Sequence, residues 1–449
     1  MGQGANKADA ATSRAAATQI VRTLRDAGFA ALFAGGCVRD ELLGLTPSDY
    51  DVATDAKPPE LAKLFSRTAE VGAHFGVMLV RIGEAVIEVA TFRADGSYSD
   101  KRRPDSVEFS SPLQDARRRD FTVNALYLDP TPKGDSAAAA SRWTTENVTP
   151  ATHICNGGVV IDYVGGLQDL PKKLLRAVGD PDARLAEDHL RALRAVRLAA
   201  KLGFGIEEKT QDAIRRHASS LSGISRERIG DEVRMMMERP SRATAIAQLR
   251  SLSLEDQVLG VSATRWQSVS GTVPNYKLLS GLPTGTTFGV CIAAWLLDLG
   301  LPLQSLSTEA QVAETLSTVR GMLCLSNAER DELASTLRDV PKLLSDWPSM
   351  SIAARKRLVA GPGYLGGISL LRGMNPSKAT EIDTEVRKLA KDGVGIAPPA
   401  ILTGDVLVEM GLRPGPAFKT ILDRVYDAQL EGKIRDLQEA RELVGQLRV

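Results

Sequence analysis

The spacing of apolar residues changes character once along the 449 residues, and that change admits few architectures. Up to about residue 175, short runs with the two-residue period of strands alternate with helical stretches. Ile20, Val21 and Leu24 give one face of a first helix that stops at Ala27-Gly28. Phe29 to Ala34 reads as a strand, Gly35-Gly36 as a tight turn, and "CVRDELLG" as a second helix. "TPSDYDVATD", Thr46 to Asp55, reads as a strand with Tyr50 and Val52 on one face and Asp49 and Asp51 on the other. A helix from Pro58-Pro59, a hairpin around Gly83-Glu84, a short strand in "DSVEFS" and a strand from Val159 to Val164 complete this part. Residues 131–158 interrupt it with small and polar residues and read as an exposed insertion. Beyond it the helical period takes over, as in Leu190, Leu193, Val196 and Leu198, then Ile229, Val233 and Met236. Pro/Gly clusters at 281–285, 361–367 and 394–399 mark joints between helical parts, and no fixed repeat is present. Strands followed by helices predict an α+β head on a long helical body.

Composition excludes more than it proposes. A net charge of +1 means that any polyanion must be met by a local basic patch. Cys37, Cys155, Cys291 and Cys324 are isolated and four histidines are scattered, so neither a disulfide framework nor a zinc site is suggested. No apolar run is long enough to span a bilayer, and the small, polar N-terminus has no signal-peptide pattern, so a reducing cytoplasm is expected.

The chemistry concentrates in a few motifs. "AGGCVRD" places a double glycine at a helix start, where backbone N–H groups can approach an anion. Asp49 and Asp51 follow about thirteen residues later, and two carboxylates sharing a strand face suit Mg²⁺ held jointly with phosphates. Glu88 in "AVIEVATFR" alternates against Ile87 and Val89 and is a third acid, either a ligand or an edge charge. Arg93, Lys101, Arg102 and Arg103 lie in a Gly/Ser-rich stretch. Arg117, Arg118, Arg119 and Asp120 precede an apolar run, which turns Arg119 and Asp120 inward; guanidinium forks suit triphosphate oxygens, and Asp120 could accept from a ribose hydroxyl. In "RLAEDHLRALRAVRLAAKLGF", Arg191, Arg194 and Arg197 recur every third residue, and Asp188 lies three before Arg191. On a helix that pair shares a face and offers acceptors and donors suited to a nucleobase edge. His189 points elsewhere and reads as packing.

These motifs together resemble the class II nucleotidyltransferases, the tRNA CCA-adding enzymes and bacterial poly(A) polymerases. The match runs through "AGGCVRDELLG", "PSDYDVATDA", "VGAHFG", "IEVATFR", "RRPDSVEF", "RRDFTVNAL", "IDYVGGLQDL" and "EDHLRALRAVR". The resemblance implies a polymerase-β-like head (residues 1–175, with the insertion), then an elongated all-helical neck (176–240), body (241–345) and tail (346–449). It implies Asp49 and Asp51 as ligands of two Mg²⁺ with Glu88 beside them, and Gly35 and Gly36 at the triphosphate. Arg119 and Asp120 fall at sugar and phosphates, and Arg39 and Asn124 lie in the same nucleotide-binding motifs. Asp188 and Arg191 match the pair that reads the incoming base, with Arg194 and Arg197 supporting. Leu402 to Ile434 looks like the tail of CCA-type enzymes, with Gly411, Pro414, Gly415 and Pro416 at a helix–turn–helix joint. "CIAAWLLDLG" is similar to a phosphohydrolase motif, but Leu297 stands where that motif needs His before Asp298, which implies an inert scaffold. The implied partners are tRNA, CTP and ATP, with no membrane and no protein partner. The implied reaction is CCA addition; ATP-only poly(A) synthesis or partial CC or A addition are the alternatives. A non-catalytic RNA-binding protein is disfavoured by the intact acids and arginines.

Overall fold

The computed structural model describes residues 8–72, 76–95, 107–132, 142–144, 148–260, 275–306 and 308–447. Lys101, Arg102, Arg103, His74 and Ala137 to Ala140 lie outside the described residues. Two compact units are present: residues 1–225 with 251–254, and residues 226–250 with 255–449.

The first unit is built on an eight-stranded sheet. Its strands are β1 (Ala31–Ala34), β2 (Asp51–Thr54), β3 (Thr68–Gly72), β4 (Val77–Ile82), β5 (Ala85–Thr91), β8 (Leu126–Asp129), β9 (Ala151–Cys155) and β10 (Gly158–Asp162). β6 (Arg93–Asp95) and β7 (Val107–Phe109) form a separate antiparallel pair. The sheet order is β3-β4-β5-β2-β1-β8-β10-β9. The hairpin read around Gly83-Glu84 is β4–β5, with Ile82 opposite Ala85. β1 is antiparallel to β2 and β2 is parallel to β5, which puts the acid-bearing strand in the middle of the sheet. Helix α1 (Ala10–Asp26) covers the sheet with Ala16, Ala17, Ile20, Val21 and Leu24, and Gly28 past its end takes φ 91°. Helices α2 (Gly36–Leu42), α3 (Pro58–Leu64), α4 (Pro112–Arg117) and α5 (Gly166–Asp169) connect the strands. Then follow α6 (Pro181–Glu187), α7 (Arg191–Leu202) and α8 (Glu208–His217). A two-residue parallel pair, β11 (Leu174–Leu175) with β12 (Gly205–Ile206), ties α7 back to the chain before it.

Three expectations change. The strand expected over Thr46–Asp55 is confined to Asp51–Thr54, so Asp49 and Tyr50 lie before it. Its partner β1 ends at the Gly35 turn and offers no further ladder groups, and Pro47 has no N–H to give. The stretch 131–158 is less irregular than its composition suggests. Ala151–Cys155 adds an edge strand to β10, and the Asn156-Gly157 turn has φ of 48° and 76°, the left-handed geometry that two-residue hairpins demand. Trp143 is buried in the core beside Leu32, Phe92 and Tyr127. Finally, the strand read as Val159–Val164 stops at Asp162, whose carboxylate accepts the N–H groups of Val164, Gly165 and Leu167 at 2.9 Å each and turns the chain.

The second unit is helical among its described residues. One core surrounds Trp295 on helix Phe288–Asp298; its indole N–H and the Tyr276 hydroxyl both donate to Glu255 Oε1 at 2.8 Å. Asp298 accepts from the backbone of Leu278 and Leu279 at 3.0 and 2.9 Å, so it caps helix Lys277–Gly281. A second core gathers around Trp347 and Leu371, and a third packs Leu407, Val425 and Val444 of the last three helices with Ile434 of the turn between the last two. Gly411 at φ 81° and Pro416 at the first turn of Pro416–Leu430 form the expected joint.

Gly166 packs so closely that an added Cβ would stand 2.4 Å from the carbonyl oxygen of Thr122. The turn Thr122–Asn124 cannot yield without moving Asn124. Gly166→Ala should therefore cost about 1–3 kcal/mol in chemical denaturation.

Candidate active site

The sheet brings the glycine turn and the acids together. Phe33 pairs with Val52, so the end of β1 lies beside Asp51, and the next residues are Gly35 and Gly36. Cys37, in the first turn of α2, is buried there; burial, with the Asp51 and Glu41 charges adding, pushes its thiol up to about 12 and keeps it inert. Asp51 is the register partner of Glu88 on β5. Asp49 is exposed on the preceding loop, and burial together with its charge raises the Glu88 carboxyl above the ordinary range. Asp49, Asp51 and Glu88 thus form one acidic neighbourhood of oxygen donors. Among the described residues, no group of three or more His, Cys, Asp or Glu side chains is arranged to hold a metal by itself.

Beside the glycine turn is a chain of guanidinium groups fixed by buried carboxylates. Gly35 takes φ 78°, and a Cβ there would meet Arg119 Nη1 at 2.8 Å. Only glycine therefore permits both the turn and the approach of that arginine. A Cβ on Gly36 would meet Arg39 Nη2 at 3.5 Å. The Gly35 N–H donates to the Leu126 carbonyl at 2.9 Å, so amides offered to an anion begin at Gly36. Arg39 is buried, donates from Nε to Asp40 at 2.8 Å, and donates from Nη1 to the side-chain oxygen of Asn124. Asn124 passes the link on, donating to Asp120 Oδ1 at 3.1 Å, while its backbone carbonyl accepts from Arg119 at 3.1 Å.

Asp120 is filled rather than open. Oδ1 accepts from Phe121 N and Asn124, and Oδ2 accepts from Arg194 Nε and Nη2 at 2.9 and 2.6 Å. Those four bonds occupy the acceptor positions of a carboxylate, leaving no open one for a ribose hydroxyl in this arrangement. Burial opposes its charge, but Arg194, Asn124 and Arg191 together outweigh burial and hold the carboxyl at about 2. Asp120 therefore joins the head to α7.

The base-reading segment differs from a continuous helix. The chain leaves helical geometry at Asp188 (φ −150°), between α6 and α7. The Asp188 carboxylate accepts from Leu190 N at 3.0 Å and its carbonyl from Arg191 N at 3.0 Å, a local turn that competes with the helix and starts a new one. Asp188 and Arg191 stay close, but across a capping turn instead of along one helical face. Arg191 bonds Glu187 and donates to the Arg184 and Arg118 carbonyls at 2.7 and 3.3 Å. Arg194 and Arg197 follow on α7 as half-buried residues between buried pairs, and His189 is buried.

Sequence reading missed the residues that hold Arg119. Asp115, in α4, receives Arg118 at 2.6 Å, Arg119 at 3.1 Å and the Tyr127 hydroxyl at 2.6 Å, and the Arg119 guanidinium lies 5.2 Å from the Tyr127 ring centre. The signal was present, since Asp115 stands three and four residues before Arg118 and Arg119 on a helical stretch. Burial alone would raise the Asp115 carboxyl, but Arg119 and Arg118 hold it at about 2.

A carboxyl depressed in the folded state stabilises the fold above its unfolded value near 4 and loses that contribution as pH falls toward 2. Asp115→Asn should thus cost on the order of 2–3 kcal/mol at pH 7. In urea titrations at successive pH values, the gap from the parent protein should narrow as pH falls below about 4.

Comparison with known proteins shows the family. Residues 31–176 match the Poly A polymerase head domain, and residues 203–260 match the probable RNA and SrmB-binding site of polymerase A. The CCA-adding enzyme of Geobacillus thermodenitrificans is 30% identical over 435 residues, covering 94% of this chain and 93% of that protein. The CCA-adding enzyme of Streptococcus mutans is 30% identical over 435 residues, with 94% of each chain covered. Among solved structures, the Bacillus stearothermophilus CCA-adding enzyme in complex with CTP superposes with a TM-score of 0.70 at 24% identity, over 96% of this chain and 97% of that one. With the head match and the nearly full-length likeness in agreement, the chain belongs to the family of CCA-adding enzymes, tRNA nucleotidyltransferases with a polymerase-type head.

Proposed function

We propose that this protein completes the 3′ end of tRNA by adding C, C and A from CTP and ATP without a nucleic-acid template. The observation that carries the reading is the likeness to CCA-adding enzymes over 94% of the chain, which runs through the helical second unit as well as the head. The polymerase A family matches stop at residue 260, whereas the likeness to CCA-adding enzymes continues through the rest of the helical unit, so a poly(A) polymerase reading is not favoured.

The tRNA 3′-hydroxyl attacks the α-phosphate of the bound nucleotide. An O–P bond forms, the bond to the bridging oxygen of the β-phosphate breaks, and pyrophosphate leaves. Asp49 and Asp51, with Glu88 adjoining, offer the all-oxygen, like-charged donor set that a hard divalent cation such as Mg²⁺ relieves. Two such ions would activate the attacking hydroxyl and neutralise the leaving pyrophosphate. Arg39 and Arg119, fixed around Gly35-Gly36, receive the triphosphate as fixed guanidinium donors. Asp120 sets Arg194, and Asn124 couples the two arginine sets. Asp188 and Arg191 read the base edge, with Glu187 holding Arg191 and Arg197 supporting. We assign residues 1–175 to the catalytic head, 176–240 to the neck, and 241–345 and 346–449 to a body and tail that hold tRNA by phosphate and shape contacts. The work is placed in the cytoplasm; no described helix is long and apolar enough to cross a membrane.

The test is extension of tRNA lacking its 3′ end, with CTP, ATP or both. CTP alone should add two residues, and both nucleotides three before stopping. Long ATP-only runs on unstructured RNA would overturn the assignment in favour of poly(A) synthesis, and a stop after two residues with both nucleotides would limit it to CC addition. Asp51→Asn should lower incorporation roughly 100-fold or more with the melting temperature nearly unchanged, because a metal-site acid is not a core group. Arg191→Ala should erode discrimination of CTP and ATP from UTP and GTP more than it weakens triphosphate binding; an equal loss for all four nucleotides argues against base reading.

A further inference from the structure

A buried polar cluster behind the acids plays no part in the roles above. Its centre is Glu41 in α2, whose side chain is 4% exposed. Burying an ionised carboxylate is costly unless its acceptor positions are filled. Here Oε1 accepts from Arg14 Nε at 2.8 Å and from the Tyr50 hydroxyl at 2.9 Å. Oε2 accepts from Arg14 Nη2 at 3.4 Å and from Asn156 Nδ2 at 2.8 Å. Arg14 comes from α1, Asn156 from the tip of the β9–β10 hairpin, and Tyr50 from between the two acids.

The arrangement exceeds what packing needs. The Tyr50 ring already meets Phe33 edge-on at 5.4 Å, and phenylalanine would fill the same space. What the hydroxyl adds is a fixed depth and rotation for the residue that carries Asp49 and Asp51 on either side. The ladder of β2 begins only at Asp51, so the sheet does not set the direction of Asp49. Burial opposes the Glu41 charge, but the bonds from Arg14, Asn156 and Tyr50 hold its carboxyl below the usual range, so it stays an acceptor.

We infer that Glu41, clamped by Arg14 and by Asn156 of the edge hairpin, is a positioning residue for the transfer reaction, holding Tyr50 so that Asp49 and Asp51 converge on the divalent cations. The inference rests on the proposed metal role of those two acids. It also gives the hairpin that closes the 131–158 stretch a task in the head.

The test compares Tyr50→Phe, Glu41→Gln and Asn156→Ala in the full-length protein. Two readouts are used: Mn²⁺ titrated in the presence of CTP and followed by electron paramagnetic resonance, and steady-state addition to tRNA lacking its 3′ end. Tyr50→Phe should raise the Mn²⁺ dissociation constant about threefold or more and lower kcat about tenfold, with KM for CTP within about twofold, because a misdirected ligand costs rate before it costs nucleotide binding. Glu41→Gln should act in the same direction, and Asn156→Ala more weakly. A lowered melting temperature with unchanged Mn²⁺ affinity and kcat would mean a merely structural cluster and would overturn the inference. Should Glu41→Gln fail to fold, Tyr50→Phe decides alone. Asp51→Asn separates the two levels. If it stays active, the reading of the acids fails; if it is inactive while Tyr50→Phe behaves as the parent, only the positioning role fails.

Discussion

The head depends on keeping guanidinium groups beside a glycine turn without letting them collapse onto the nearby acids. Arg119 can stand against Gly35 because Asp115 neutralises it from behind, with Arg118 and Tyr127 completing the same carboxylate. Arg39 is neutralised by Asp40 and steadied by Asn124. Such groups pay their desolvation before any ligand arrives, which is how preorganised electrostatic sites act without rearranging. The two glycines are a steric part of this device, because a side chain at Gly35 would occupy the space of Arg119 Nη1.

From that centre the fixed geometry spreads through paired charges. Asp120 and Arg194 tie the loop after α4 to α7, and Arg191 reaches the Arg118 carbonyl one residue before Arg119. A displacement of α7 would thus be felt at the arginine beside the glycine turn. On the other side, Glu41 ties α1, α2 and the β9–β10 hairpin to Tyr50. The acids adjoin both networks: the end of β1 brings Asp51 beside the glycine turn, and Tyr50, between the two acids in the chain, bonds Glu41.

Much of this was legible because the local codes agreed with the global pattern. The α1 face, the β4–β5 hairpin and the Gly35-Gly36 turn all carried their signal in period or in glycine placement. The stretch 131–158 was misread through its composition, although Asn156-Gly157 is a strong hairpin signal; small polar residues around it masked an edge strand that is itself largely exposed. Asp188 was placed on a continuous helix because the apolar period runs through it, whereas a carboxylate able to bond the N–H two residues on competes locally with the helix and won. Asp115 was overlooked because a single acid ahead of three arginines looks like surface charge until its burial is known.

The sequence alone determined that a strand-rich head precedes a helical body, the placement of the acids and glycines along the chain, and the family resemblance, because each depends on residue type and short spacing. Tertiary structure alone decided which charges pair. It filled Asp120 with Arg194, gave Arg191 to Glu187, set Asp115 under Arg119, and brought Arg14, Tyr50 and Asn156 to Glu41. The reason is physical: a buried ion pair is chosen by desolvation and hydrogen-bond geometry among residues far apart in the chain, and no local period records that choice.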